Sequence, residues 1–155
     1  MAKYKSDFLN VLDQRGFIHQ VSDAPALDAL AAKGPITGYV GYDATATSIH
    51  IGNLITVTML YWLQETGHRA ISLMGGGTSM VGDPTGREDQ RKLLTIEQID
   101  SNIESIKKVY SRILRYGDGP TDAIMINNAD WLLKLNYVEF LRDVGRYFSL
   151  SLIHI

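Results

Sequence analysis

His50 and Asn53 stand three residues apart where a β-rich run gives way to an apolar helical one, and Asp43 and Thr45 lie just before them. Residues spaced by three at the start of a helix project from neighbouring sides of one turn. The imidazole and the amide can each donate a hydrogen bond to a phosphate oxygen without bringing negative charge. Asp43 and Thr45 add an acceptor and a hydroxyl within reach of the same ligand. The chemistry this suggests is the holding of an anion. A plainer reading is also open: an ordinary strand-to-helix turn with His50 as a helix cap.

The elements around these residues suit the first reading. Thr37 to Tyr42 reads as a strand, Ala44 to Ser48 is a small-residue turn, and His50-Ile51-Gly52-Asn53 opens a helix that runs to about Glu65 and stops at Gly67. A helix N-terminus beside a strand end offers unpaired amides and the positive end of the macrodipole, both of which favour anions.

A second cluster follows the strand predicted over Ala70–Met74, which should lie parallel to the first through a right-handed crossover. Five glycines fall within the twelve residues Gly75–Gly86, a composition that permits positive φ and close approach to a ligand. The run lacks the Gly-Lys-Ser/Thr of a P-loop and the Gly-x-Gly-x-x-Gly fingerprint. A flexible surface loop would explain the glycines. It would not explain Asp83 set among them, with Arg87 and Arg91 following four residues apart. One acid for an ammonium and two cations for polyphosphate suit an amino acid together with ATP.

Tyr39…Gly41…Asp43…Thr45…His50-Ile51-Gly52 resembles the nucleotide-binding signature of class I aminoacyl-tRNA synthetases, and in detail that of the bacterial tyrosyl enzymes. The segments Gly82-Asp-Pro-Thr-Gly-Arg87…Arg91 and Asn127-Asn128-Ala-Asp-Trp131 continue the likeness, which extends to about Ser149. Two departures stand out: Asn53 replaces a usual histidine, and Arg87 replaces a frequent lysine.

The resemblance implies roles residue by residue. Thr45 and His50 would bond the polyphosphate, and Asn53 with the backbone at Gly52 would meet the nucleoside. Gly41 would leave room for substrate, and Asp43 would help hold the nucleotide. Tyr39 would bond the substrate phenol, Asp83 its ammonium with a lesser contact from Thr78, and Arg87 and Arg91 the departing pyrophosphate. Asn127 and Asn128 would support the site from behind. On its residues alone, Tyr39 reads as a buried strand tyrosine, and the two asparagines read equally well as turn formers. Tyr39, His50 and Asp83 should surround one cavity.

The fold expected is α/β, a Rossmann-like nucleotide-binding fold with a parallel sheet flanked by helices, present as its first half only. Residues 1–149 would be the N-terminal part of the catalytic domain and 150–155 a tail outside the family pattern. Such a fragment, without the family's lysine-rich catalytic loop, should be inactive alone. The function implied is that of a tyrosine–tRNA ligase, with L-tyrosine, ATP (as its Mg2+ complex) and tRNA(Tyr) as partners and a homodimeric full-length form. The alternatives are a tryptophan-specific ligase of the same class and a non-catalytic nucleotide- or RNA-binding module.

Composition agrees. A chain of 155 residues suffices for one core, and 45% hydrophobic with 21% charged residues is ordinary for a globular protein. The net charge of −2 provides no general attraction to nucleic acid. The absence of cysteine excludes disulfides and is compatible with the cytoplasm. Neither a signal-like start nor an apolar span of membrane length is visible, so a cytoplasmic protein is expected. No histidine spacing suggests a protein-bound metal.

The remaining elements are helices over 4–20 and Ala26–Ala32, both expected to pack on the sheet, the latter capped by Asp23 and ended by Gly34-Pro35. A capping box at Thr95 and Gln98 opens what should be the longest helix, with Ile96, Ile99, Ile103, Ile106, Val109, Tyr110 and Ile113 as its apolar stripe. A buried strand over Ala123–Ile126 and a helix from Tyr137 to about Tyr147 complete the pattern.

Overall fold

The computed structural model describes residues 3–81 and 94–147. In chain order it contains α1 (Asp7–Gln14), α2 (Ala24–Lys33), β1 (Thr37–Tyr42), α3 (Ile51–Glu65), β2 (Arg69–Met74), α4 (Gly76–Val81), α5 (Ile96–Tyr110), β3 (Ile124–Asn127), α6 (Ala129–Leu132) and α7 (Tyr137–Asp143), with a 3-10 turn at Gly145–Tyr147. The strands form one parallel sheet in the order β1-β2-β3.

Register determines what each face carries. Val40 pairs with Ser72 and Tyr42 with Met74, while Tyr39 pairs with Ile71 and Gly41 with Leu73. Side chains alternate between faces along a strand, so Tyr42, Ala70 and Met74 lie on the face that α3 and α5 cover. They join Val57, Leu60 and Leu63 of α3 and Ile106 and Tyr110 of α5 in the core. Two crossovers of the same hand, running in the same direction across the sheet, place both helices on one side.

Long-range polar contacts brace this core. Buried Gln64 of α3 donates to the carbonyls of Arg115 (2.8 Å) and Thr121 (3.0 Å) and accepts from the Arg115 amide (2.9 Å). The loop entering β3 is thereby tied to α3. The hydroxyls of Ser72 and Tyr116 meet at 2.7 Å beneath the sheet.

Several expectations are corrected. The first helix spans Asp7–Gln14, not 4–20. The Asp28 carboxylate of α2 accepts the amides of Lys5 (2.9 Å) and Ser6 (2.8 Å), drawing the chain out of helical geometry there. Gly16, at φ 73°, ends the helix on the other side. Its apolar residues Leu9 and Leu12 are buried, and α1 packs mainly on α2 and α3, with Phe8 against the core that includes Tyr42, Ala70 and Met74 of the sheet. Ile96 of the α5 stripe is exposed, and α5 matches α3 at 15 residues without exceeding it. β3 is only partly buried, since it pairs with β2 alone. The Asp23 cap, the Thr95–Gln98 capping box and the end of α3 at Gly67 (φ 86°) match expectation.

His68, 4% exposed, sits at the entrance to the sheet. Its Nδ1 accepts the Ile36 amide at 3.2 Å, and Phe8 packs edge-on against the ring. Burial holds the imidazole below its ordinary pKa of 6.5. The unfolded chain therefore takes up this proton first, and the stability from the neutral ring is complete above that value and lost as pH falls below it. Thermal midpoints measured at about pH 7.5 and 5.5 should show this loss, and His68→Phe should flatten it while costing about 1 kcal/mol at neutral pH for the missing acceptor. An unchanged pH slope in the variant would count against this role.

Candidate functional site

The C-terminal ends of the three strands lie side by side, where ligands collect in open parallel sheets. From β1 the chain enters the turn 43–50 and then α3. Gly41, Asp43, Thr45, His50 and Asn53 line one cavity of about 180 Å3 there, with Ser48, Ile49, Tyr42 and Tyr110. Whole-ligand pockets usually exceed about 300 Å3, so this space suits a part of a ligand, such as a phosphate group.

The His50 side chain is already partly engaged. Its Nδ1 accepts the amides of Gly52 (3.0 Å) and Asn53 (3.4 Å), and Asn53 Oδ1 accepts the His50 amide (3.2 Å). This capping box takes up two of the α3 amides that the sequence left free for an anion. The donor capacity moves to the side chains. An imidazole accepting at Nδ1 carries its proton on Nε2 when neutral, and Asn53 keeps its Nδ2 donors. The helix-cap reading of His50 thus describes this structure, and a ligand-binding Nε2–H remains compatible with it.

Two buried phenols close the back of the cavity. Tyr42 and Tyr110 stack edge to face, ring centroids 4.9 Å apart, and neither hydroxyl has a hydrogen-bond partner among the described residues. Burial raises both pKa values, so both remain protonated donors. Apolar periodicity marked Tyr110 only as core, and its hydroxyl had no sequence signal.

From β2 the chain passes through Gly75 into α4. The first half of the expected glycine loop is therefore helical, and none of its described glycines has positive φ. Close approach explains them instead. A Cβ on Gly75 would fall 2.8 Å from Thr78 Oγ1 and 3.2 Å from Asp43 Oδ1, and one on Gly76 would collide with Asn127 Oδ1. Asn127 Oδ1 accepts the Gly76 amide at 3.1 Å and Asn128 Oδ1 the Gly77 amide at 2.7 Å. Asn128 Nδ2 also donates to Thr78 Oγ1 at 3.2 Å. The asparagines act between elements. Asn127 is a local turn former as well, accepting the Ala129 amide at 3.0 Å.

Tyr39 does not line the cavity. It is 69% exposed on the opposite face of β1, so the buried-strand reading is set aside. Asp83, Arg87 and Arg91 lie outside the described residues. Among the described residues no group of three or more acidic or histidine side chains could hold a metal, and no helix is long and apolar enough to cross a membrane.

A parallel sheet with a polar cavity at its strand ends defines a Rossmann-like nucleotide-binding unit. Residues 31–154 match the family model described as tRNA synthetases class I (W and Y), and the chain belongs to that family. It is 71% identical over 151 residues to a tyrosine–tRNA ligase of Mesorhizobium japonicum and 62% identical to one of Rhizobium meliloti; in both cases 97% of this chain aligns with 36% of the relative. The chain thus spans about a third of the length of these relatives. A C-terminally truncated mitochondrial tyrosyl-tRNA synthetase of Aspergillus nidulans superposes with TM-score 0.76 at 33% identity, covering 92% of this chain and 43% of that one.

Gly52 tests the cap. A Cβ there would lie 2.9 Å from His50 Cε1 and 3.0 Å from Nδ1, so Gly52→Ala should displace the ring. Alanine for glycine in a helix ordinarily stabilises by up to about 1 kcal/mol. Here chemical denaturation should show no gain, and a loss of up to about 1 kcal/mol as the cap is disrupted. Gly41→Ala, with nothing within 4 Å of the added carbon, should leave stability nearly unchanged.

Proposed function

We propose that the chain is the nucleotide-binding part of a tyrosine–tRNA ligase. The observation that carries this reading is the cavity at the strand ends, where five polar or small residues expected at an ATP site stand together. The names of the relatives supply the amino acid, favouring tyrosine over tryptophan.

In the first step the tyrosine carboxylate attacks the α-phosphorus of magnesium–ATP, the bond to pyrophosphate breaks, and tyrosyl-adenylate forms. In the second, a 3′-terminal ribose hydroxyl of tRNA(Tyr) attacks the tyrosyl carbonyl and AMP departs. Neither step needs a protein nucleophile, so the protein contributes positioning and charge stabilisation. The Thr45 hydroxyl and His50 Nε2–H donate to polyphosphate oxygens as charge builds on them. Asn53, with the backbone at Gly52, meets the nucleoside, and Asp43 helps hold the nucleotide beside the space left by Gly41. Asn127 and Asn128 hold α4, which carries Thr78 toward the substrate amino group. Tyr39 bonds the substrate phenol, Asp83 takes the ammonium, and Arg87 and Arg91 grip pyrophosphate. The full-length enzyme works as a homodimer.

Tyrosine-dependent ATP–pyrophosphate exchange by a full-length ligase carrying these residues tests the reading. Thr45→Ala should lower kcat about 10- to 100-fold while the tyrosine KM stays within about twofold, the pattern of an interaction made in the transition state. Tyr39→Phe should relax discrimination against phenylalanine, because no polar group then goes unpaired. Residues 1–155 alone should exchange far more slowly than the full-length enzyme. Full activity in the Thr45 variant would reject the assignment.

A further inference from the structure

Ala44 is completely buried in the turn that leads from β1 to α3, and both polar groups of its backbone are taken by side chains distant in sequence. Its amide donates to Ser79 Oγ of α4 at 3.0 Å, and its carbonyl accepts from Asn102 Nδ2 of α5 at 2.8 Å. Ser79 and Asn102 are themselves buried.

The next residue is Thr45, and it stands between two open spaces. On one side is the cavity with His50 and Asn53, and on the other a groove of about 550 Å3 lined by Thr45, Leu94, Gln98 and Asn102. Thr45 to Ser48 are exposed and gain little from packing, so the bonds to the buried Ala44 peptide bear strongly on where the turn sits. A buried peptide group left without partners is costly, which makes this pair of bonds a strong constraint on the turn. Ser79 adjoins Thr78 on α4, and Asn102 projects from a helix that belongs to the core. The turn is therefore referenced to the amino-acid side of the site and to the core together.

We infer that Ser79 and Asn102 are positioning residues that clamp the Ala44 peptide and hold Asp43 and Thr45 in place for the nucleotide. The inference rests on the ligase reading for its kinetic consequence but not for its structural one. Neither side chain lines the cavity that holds His50 and Asn53; both act through the Ala44 backbone.

The test uses the full-length ligase and two readouts, hydrogen exchange of the 43–50 segment and ATP–pyrophosphate exchange kinetics. Ser79→Ala and Asn102→Asp, the second of which sets an oxygen against the Ala44 carbonyl, should each speed amide exchange in 43–50 by about three- to tenfold, the effect of one lost hydrogen bond. Each should raise the ATP KM by a similar factor with the tyrosine KM within about twofold, and Ser79→Thr, which keeps the hydroxyl, should restore both. Ser105→Ala, an exposed serine one turn along α5, serves as the control and should change neither. If Asn102→Asp does not fold, the Ser79→Ala and Ser79→Thr pair decides alone. Unchanged hydrogen exchange in 43–50, or a parallel rise in both KM values, overturns the inference. If the parent enzyme shows no tyrosine-dependent exchange, the ligase reading fails while the hydrogen-exchange result still decides the clamp.

Discussion

Backbone polar groups must find partners where a parallel sheet ends, and most of the site follows from how this chain satisfies them. Strand pairing stops at Tyr42, Met74 and Asn127, and two further amides extend it: Gly75 to the Tyr42 carbonyl (2.8 Å) and Asn128 to that of Met74 (2.9 Å). Beyond those the chain turns away, and side chains from neighbouring elements take over. Asn127 and Asn128 accept the leading amides of α4, Ser79 and Asn102 hold Ala44, and His50 accepts from α3. Buried amides are almost always paired, and here the pairing also sets the spacing between the β1 turn and α4.

The consequence for anion binding is specific. A bare helix N-terminus attracts phosphate through its amides and its dipole. In α3 the His50 ring takes two of those amides at Nδ1, which leaves Nε2 as the donor of the neutral ring, held in place by its own cap. The dipole still favours negative charge there. A donor held in place beforehand loses little freedom when a ligand arrives. Gly52 fits the same scheme, since a larger residue would collide with the ring.

What the sequence disclosed follows the range of the interactions. β1 was bounded at Thr37 and Tyr42 because its composition and its flanking turns are local signals, and the caps at Asp23 and Thr95 are local too. The shortened α1 was hidden because its start depends on Asp28, more than twenty residues away. α4 was hidden because its glycines speak against helix, and the reason for them lies in Asn127, 51 residues further on. The grouping of Gly41, Asp43, Thr45, His50 and Asn53 was legible because they lie on one short stretch. Ser79 and Asn102 gave no such sign: an isolated serine and an isolated asparagine acquire a role only when three elements meet.

The two halves of the site differ in how far the described residues complete them. The cavity at the strand ends has walls, two tyrosines behind it and the mutually bonded His50 and Asn53 on its lining. Tyr39 instead emerges from the opposite face of the sheet, where Ile71, Leu73, Ile124 and Ile126 are only partly buried. Register makes this unavoidable: a residue on β1 that alternates with Val40 and Tyr42 cannot face the helices that cover them. Any group that packs on Tyr39 must therefore approach from that second face, whereas the cavity is built from β1, the turn after it, α3 and α5. A chain spanning about a third of the length of its relatives therefore holds a walled polar cavity at its strand ends while Tyr39, on the other face, is largely exposed.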